Sequence, residues 1–459
     1  MTTRFVPSDA AVAPAVARAL ARHGRGGPAG RAAVEAYQAE RLRALLAHAA
    51  ARVPYQRERF RRHGLDPAAI RGVADLASLP PISKRDLQAV APAALVAEGL
   101  DPEALPGISS SGSTGEPFTF RRSWLEINLH YLFRLRALRS LGQQARDRVV
   151  HLHSKDTADG GRCKWPGRLL GRLGLWRLSH VDVKQSPEAM AAALRTARPD
   201  LILGYPSALT RIAALAPAAR AGVRPRLVVT GAEVLTEGAR RCIAEAFGAP
   251  VRNIYASSEC HLMAWECPAG AGLHVCDDSV VLEVLVDGRP ARPGETGEAV
   301  VTALHAWTMP LVRYRLGDLV TRGESPCPCG APFASIRAVE GRIADYLTLP
   351  DGRVVHPYQV TDRVVWNEEP WVRQFQLVQH RPDHVEMQVV PSRIPGADQL
   401  ARARGAVAEV LGPGVVFELR TVPEIAPDRT GKVRAFRPGF PATPVPRRIG
   451  LPGDLQRGA

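Results

Sequence analysis

A chain of 459 residues is too long for a single small core and predicts two or three domains. Its 46% hydrophobic and 23% charged content is that of a soluble globular protein, and it holds no apolar run of about eighteen residues, which excludes a transmembrane helix. The net charge of +15 raises nucleic acid as a partner, but the 60 basic residues are dispersed along the chain without interleaved aromatics. A solvated surface that attracts anionic substrates such as nucleotides or coenzyme A fits better, so no nucleic-acid partner is expected.

The N-terminus, Met1-Thr-Thr-Arg-Phe-Val-Pro7, lacks an apolar signal core, so a cytoplasmic protein with no membrane partner is expected. Residues 1–30 are rich in Ala, Arg and Gly and read as peripheral. From 31 to 63 the spacing of Tyr37, Leu42, Leu45, Leu46, Ala49 and Val53 predicts an amphipathic helix interrupted at Pro54. Residues 79–87 read as a loop with a helix start capped at Ser83. Next comes Ser109-Ser-Ser-Gly-Ser-Thr-Gly-Glu-Pro-Phe118. Gly112 and Gly115 permit tight turns with open N–H groups, and Ser110, Ser111, Ser113 and Thr114 add hydroxyls, a suitable wrap for a polyphosphate. No lysine follows Gly115, so this is not a GxxxxGK[ST] loop. A helical pattern follows through Trp124, Ile127, Leu129, Tyr131, Leu132 and Leu135.

Strands are then expected at 149–153, 201–203, 227–230 and 253–255, alternating with helices at 189–198, 207–219 and 237–247, the pattern of parallel α/β structure. From Val280 the character changes to antiparallel strands at 280–286 and 297–303. Near Gly341 a small α+β segment begins, with strands at 385–390 and 415–422. The tail after Pro438 is rich in Pro, Arg and Gly and is expected to be disordered.

Further motifs accompany the loop in order. Tyr255-Ala-Ser-Ser-Glu259 follows a strand and offers an aromatic face, hydroxyls and a carboxylate able to hold Mg²⁺ on a phosphate. Arg313-Tyr-Arg-Leu-Gly-Asp318 places a carboxylate after a glycine, suited to ribose hydroxyls. Glu340-Gly-Arg-Ile-Ala-Asp345 lies at the expected domain boundary, and Asp428-Arg-Thr-Gly-Lys-Val-Arg434 presents Lys432 in a polar turn. Leu203-Gly-Tyr-Pro-Ser207 and Gly231-Ala-Glu233 each end a strand. Singly each motif reads as a turn, cap or salt bridge, but their conjunction is improbable by accident. Only five lysines occur (Lys84, Lys155, Lys164, Lys184 and Lys432), so Lys432 stands alone in the last part of the chain: either its compact ammonium is needed where arginine cannot imitate it, or it survives by chance.

Seven cysteines occur, and in a reducing compartment thiols are free or metal-bound rather than paired. Cys327-Pro-Cys329 puts two sulfurs on one turn, and Cys267 and His274 lie upstream among glycine-rich turns. Cys₃His is an ordinary tetrahedral zinc set. Cys276 and Cys260 compete for a place in it, and buried free thiols are the alternative.

The ordered motifs resemble the adenylate-forming superfamily of acyl-CoA synthetases, adenylation domains and luciferases, and within it the phenylacetate–CoA ligase branch with its capsule-biosynthesis relatives. Leu45-Leu-Ala-His-Ala-Ala-Ala-Arg-Val-Pro-Tyr55 and Asp75-Leu-Ala-Ser-Leu-Pro-Pro-Ile-Ser-Lys-Arg-Asp-Leu87 are similar to N-terminal segments of that branch. The resemblance spans residues 35–437. It implies an α/β fold with a large N-terminal domain of sheets and helices (1–340, core 35–340, β-rich subregion, zinc knuckle at 267–329) and a small mobile α+β C-terminal domain (341–437), with a tail at 438–459.

The resemblance also implies a reaction. A carboxylic acid and ATP give an acyl-adenylate and pyrophosphate, and the acyl group passes to coenzyme A. Ser110, Ser111, Gly112, Ser113, Thr114 and Gly115 match the pyrophosphate loop. Tyr255 matches the adenine-side residue, Ser258 a phosphate-contacting hydroxyl, Glu259 the Mg²⁺ ligand, Asp318 the ribose-binding aspartate and Arg342 an arginine reaching the nucleotide. Glu233 joins the nucleotide side, and Lys432 matches the lysine bridging carboxylate and phosphate oxygens. Relatives carry similar Cys/His residues, which supports Cys267, His274, Cys327 and Cys329 as ligands of one structural zinc ion.

Three positions depart from the family pattern: Glu116 stands where lysine is common, Ala344 precedes Asp345 in the hinge, and Ala256 replaces glycine. The expected enzyme is an AMP-forming ligase for a small aromatic acid, with Tyr131, Tyr205, Ser207 and Gly231 as pocket candidates and a homodimer as a possible assembly. An amine acceptor is the runner-up. Readings of other classes are a non-catalytic scaffolding homologue and a basic zinc-containing nucleic-acid binder.

Overall fold

The computed structural model describes residues 28–109, 118–154, 177–324, 327–342, 346–355, 357–365, 371–426 and 436–438. They form two compact units, each drawn from two stretches of chain: 28–144 with 253–340, and 145–252 with 341–438. No helix among the described residues is long and apolar enough to cross a membrane.

The first unit begins with helices α1 (Pro28–Arg52) and α2 (Pro54–Arg62). Pro54 breaks the run between them, as its missing N–H and fixed φ require. Val34, Leu42, Leu45, Leu46 and Ala49 form the buried stripe of α1, Val53 is buried at the junction with α2, and the Gln38 amide donates to the carbonyls of Asp277 and Val280 at 3.0 and 3.1 Å. Ser83 caps the short helix Lys84–Gln88 through a reciprocal pair with Asp86. Strands β1 (Gly107–Ser109) and β2 (Thr119–Arg121) pair antiparallel on either side of the Ser/Gly segment. Helix α3 (Trp124–Ser140) follows, capped by Ser123. It buries Ile127 and Leu129 as expected, but Leu132 is 42% exposed, and Phe133 and Ala137 continue the stripe instead.

The unit's sheet is antiparallel wherever its register is defined. It contains β7 (Val251–Ser257), β8 (His261–Glu266), β9 (Leu273–Val275), β10 (Val280–Val286), β11 (Arg289–Pro290), β12 (Thr296–Ala303), β13 (Tyr314–Arg322) and β14 (Ser335–Arg342), in the order β11-β10-β12-β13-β14-β9-β8-β7. Val280 pairs with Ala303 at one end of the predicted antiparallel ladder. One ion pair is deeply buried here. Arg313, with φ 50°, directs its guanidinium onto Glu283 at 2.9 and 3.0 Å and onto the carbonyls of Leu76, Ala77 and Leu79 at 2.6–3.2 Å. Burial pushes the Glu283 carboxyl above its usual range although Arg313 pulls it down.

In the second unit, β3 (Arg148–His153), β4 (Arg177–Asp182), β5 (Leu201–Gly204) and β6 (Leu227–Gly231) are parallel in the order β6-β5-β3-β4. Helices α4 (Pro187–Ala197), α5 (Pro206–Ala213) and α6 (Glu237–Phe247) pack with them around Ile202, Val228, Leu209 and Ile243. α5 stops at Ala213, short of the expected 219, because Pro217 cannot continue a helix. β4 escaped the sequence reading because its residues are largely exposed and polar, with only Val181 buried.

Residues beyond 346 carry a core of their own around Trp371, Leu377, Val385, Met387, Val407 and Leu411. A two-stranded ribbon of β15 (Leu347–Thr348) and β16 (Val354–Val355) precedes helix α7 (Pro357–Val365). The sheet order is β19-β18-β17-β20, from β17 (Val372–Arg381), β18 (His384–Pro391), β19 (Val416–Thr421) and β20 (Phe436–Pro438), with helix α8 (Ala397–Leu411) between β18 and β19. β17 was missed because glutamines interrupt its apolar residues. The expected tail after Pro438 lies outside the described residues.

Removing one member of a buried ion pair strands the other. Arg313→Ala should therefore destabilise the protein by about 3–5 kcal/mol in urea unfolding. Arg381→Ala, whose ion-pair partner Asp383 is surface-exposed, should fall within about 1 kcal/mol of wild type.

Candidate functional site

Tyr255 leaves β7 pointing into the first unit's core, and its hydroxyl donates to Asp318 Oδ2 at 2.6 Å. Both residues are at most 9% exposed. The strand geometry explains how Asp318 gets there. Val300 pairs with Arg315 and Glu298 with Leu319, so two steps along β12 face four along β13, and residues 316–318 bulge from the ladder. Gly317 adopts φ 74° at the bulge, a conformation that side chains resist. The glycine preceding Asp318 in the sequence motif is thus the turn that aims the carboxylate. A carboxylate fixed against a phenol, beside an aromatic ring, suits a ligand that has both vicinal hydroxyls and a flat heterocycle.

Ser258, Glu259 and Cys260 form the turn that joins the last residue of β7, Ser257, to β8. Ser257 Oγ accepts from Cys260 N at 3.0 Å, Ser258 is exposed, and Glu259 is buried, its backbone carbonyl held by the guanidinium of Arg122. Arg122 itself is wholly buried and also donates to Met309 O at 3.3 Å. Sequence reasoning missed Arg122, since nothing distinguishes one arginine among so many.

In the second unit, Tyr205, Ser207, Gly231 and Glu233 gather at the carboxyl ends of the parallel strands β5 and β6, where ligands of open α/β sheets bind. The Glu233 carboxylate accepts from Ser207 N and Ser207 Oγ, both at 2.9 Å, and so caps the first turn of α5. Arg342 ends β14, half-buried, and Tyr131 lies half-buried on α3. Ser110, Ser111, Gly112, Ser113, Thr114, Gly115 and Glu116, the Ala344-Asp345 pair and Lys432 lie outside the described residues.

The third grouping is the Cys/His set in the first unit. One donor atom each from Cys267, His274, Cys327 and Cys329 lies within 4.8 Å of every other. The closer pairs are His274 Nε2 to Cys329 Sγ at 3.2 Å and to Cys327 Sγ at 3.3 Å, Cys327 to Cys329 at 3.4 Å, and Cys267 to Cys327 at 3.7 Å. Donors around a tetrahedral zinc ion sit roughly 3.5–3.8 Å apart, so these residues fit such an ion with small adjustments. Cys267 closes a tight turn with Gly270 N and Gly272 O, and Cys327 O accepts from Gly330 N at 2.9 Å. His274 is placed by strand pairing opposite Trp265 on one side and Ser335 on the other. Trp265 meets the His274 ring edge-on at 5.6 Å, with the Arg136 guanidinium 5.0 Å from its ring centre.

The electrostatics are those of crowded thiols. Burial raises the Cys267 thiol, but backbone N–H groups of Ala271 and Ala269, with the neighbouring thiols, bring it below its usual value. Burial and the thiols of Cys329 and Cys267 push Cys327 up to about 12, and burial holds the His274 imidazole below its usual value. The rival cysteines are outside the cluster: Cys276 receives Arg136 Nη2 at 3.0 Å, and Cys260 lies buried in the β7–β8 turn.

Two glycines in the Cys267 turn give a test of this packing. A Cβ on Gly272 would stand 2.4 Å from Ile336 O at φ 93°, whereas one on Gly270 at φ 77° meets nothing within 4 Å. Gly272→Ala should lower stability by more than the roughly 1–2 kcal/mol of left-handed strain that Gly270→Ala alone incurs, as read by thermal denaturation.

No family model matches the chain. It is 30% identical over 346 residues to a phenylacetate-coenzyme A ligase of Pseudomonas putida, covering 72% of this chain and 76% of the relative. It is 29% identical over 370 residues to the protein of the same name from Thermus thermophilus, covering 78% and 81%. Its fold matches that of a 2-hydroxyisobutyryl-CoA ligase solved in the postadenylation state, with a TM-score of 0.73, 20% identity and 91% of each chain covered. The mixed α/β architecture, the extent of the match and the ordered motifs agree: the chain belongs to the phenylacetate–coenzyme A ligase branch of the adenylate-forming enzymes.

Proposed function

We propose that this enzyme is an AMP-forming acid–thiol ligase that activates a small aromatic carboxylic acid with ATP and passes the acyl group to coenzyme A. The observation that carries the reading is the buried Tyr255–Asp318 pair, a ribose-and-base recognition element, within a chain 30% identical to a phenylacetate-coenzyme A ligase. In the first step a carboxylate oxygen attacks the α-phosphorus and pyrophosphate leaves. In the second the thiolate of coenzyme A attacks the acyl carbon and AMP leaves.

Asp318 would accept the ribose hydroxyls, with Tyr255 holding the carboxylate in place and presenting its ring to the adenine. Ser110, Ser111, Gly112, Ser113, Thr114 and Gly115 would hold pyrophosphate, with Ser258 as a further hydroxyl donor. Lys432 and Arg342 would neutralise charge shared between the acid and the phosphate, which is where a preorganised cation lowers the barrier most. Glu259, a hard oxygen donor, suits Mg²⁺, which when bound neutralises phosphate charge. Glu233 would act on the nucleotide side by ordering the first turn of α5. Tyr131, Tyr205, Ser207 and Gly231 would shape the acyl pocket, and a buried tyrosine such as Tyr205 favours a flat aryl group. Residues 341–437 would serve as the small domain that moves between the two half-reactions. The cytoplasm is the compartment in which ATP, coenzyme A and unpaired thiols coexist.

Carboxylate-dependent pyrophosphate release, screened over a panel of acids with and without coenzyme A, tests the reading. Aryl acids should give release and a thioester product. A folded, ATP-binding sample that turns over no acid would sink it, and product formed only with an amine would replace the acceptor. Lys432→Ala should slow adenylation by about 10²–10³-fold or more while leaving transfer from a supplied acyl-adenylate intact. Equal loss of both half-reactions contradicts the role.

Cys267, His274, Cys327 and Cys329 would hold one zinc ion that pins their turns together without taking part in the chemistry. Protein purified without added metal should contain about one zinc per chain by elemental analysis, and Cys327→Ser should lose it. A content far below one equivalent in wild type would refute the site.

A further inference from the structure

Three histidines of the second unit converge away from the cysteines. His151 and His153 are two residues apart on β3 and therefore share one face of the sheet. His180 on β4 lies in register with His151, so the neighbouring strand adds a third imidazole to that face. One ring nitrogen from each lies within 4.8 Å of the other two, and His153 Nε2 is 2.7 Å from His180 Nδ1. The ring centres are 4.4 to 5.9 Å apart. His153 is buried, His151 half-buried and His180 exposed on the edge strand, which gives the cluster a closed floor and an open mouth.

We propose that His151, His153 and His180 form a metal site that takes a borderline divalent cation such as Zn²⁺, Co²⁺ or Ni²⁺. Neutral imidazole is the side-chain donor these ions share. Three nitrogens leave a fourth position on the exposed side for water or an anion. Nitrogens around one tetrahedral ion stand about 3.3 Å apart, so the His153–His180 pair needs to open by less than about 1 Å. Among the described residues β4 is the edge strand, so that movement disturbs no described strand on its far side. This site differs in kind from the cysteine knuckle: among the described residues it has no thiolate, it lies in the other unit, and His180 is exposed.

The difference supplies the test. Chelator-stripped full-length protein is titrated with Co²⁺ and followed by absorption and metal analysis. Thiolate-bound cobalt shows an intense ligand-to-metal charge-transfer band, and an all-imidazole site shows none. A bound Co²⁺ population lacking that band is expected in wild type. His180→Ala, at an exposed position that circular dichroism can verify as folded, should weaken this population at least about tenfold. The combined His153→Gln and His180→Ala variant should abolish it, and any thiolate-linked population should be unchanged in both. If every bound cobalt carries the thiolate band, or the imidazole population is untouched by His180→Ala, the three rings are only a hydrogen-bonded cluster and the proposal fails.

Discussion

The first unit is organised around a guanidinium that has been taken out of water. Arg313 reaches across from the start of β13 to Glu283 on β10 and, with the same five donors, gathers the carbonyls that precede Ile82. Ile82 in turn exchanges backbone hydrogen bonds with Arg313 and Arg315 on either side of Tyr314. The N-terminal helices are thereby fastened to the sheet at the root of the strand that carries Asp318. A lysine could not do this, because the work depends on a planar fork that satisfies several acceptors at once. The arrangement converts a residue that composition alone would place at the surface into the register mark for the candidate nucleotide site.

Two features of the same sheet then act on that strand from opposite ends. At one end the bulge around Gly317 turns Asp318 onto Tyr255. At the other, Cys327 and Cys329 occupy the connection between β13 and β14 and meet Cys267 and His274 from β8 and β9. In the described part of the loop after β13, Cys327, Pro332 and Phe333 are buried, and the cluster of four side chains lies beside this small core. Small loop-rich segments of this sort are where a metal contributes folding free energy directly.

Much of this was legible in the sequence, for reasons that can be traced. The α/β alternation of the second unit and the antiparallel ladder from Val280 follow from apolar runs bounded by turn residues, and helix 237–247 has the expected ends, with Thr236 capping its start and left-handed Gly248 closing it. Cys267, His274, Cys327 and Cys329 were readable because Cys-x-Cys spacing and glycine turns are local signals. Other features could not be read. The stripe of α3 was displaced from Leu132 to Phe133 because tertiary contacts, rather than periodicity alone, choose the buried face. β4 and β17 carry too many polar residues to register as strands. Arg122, and the pairing of Glu233 with Ser207, depend on residues brought together from distant positions, for which a single sequence holds no signal.

The surroundings of Trp265 have a practical consequence. Its indole lies between an imidazole of the cysteine cluster, at 5.6 Å, and the cation of Arg136, at 5.0 Å, with Phe333 against it at 5.1 Å. Excited indole loses energy readily to a nearby imidazole or thiolate and shifts its emission in the field of a fixed charge. The chain has therefore built a fluorophore into the wall of its own knuckle. Among its seven tryptophans, this one reports on whether that corner of the sheet is intact.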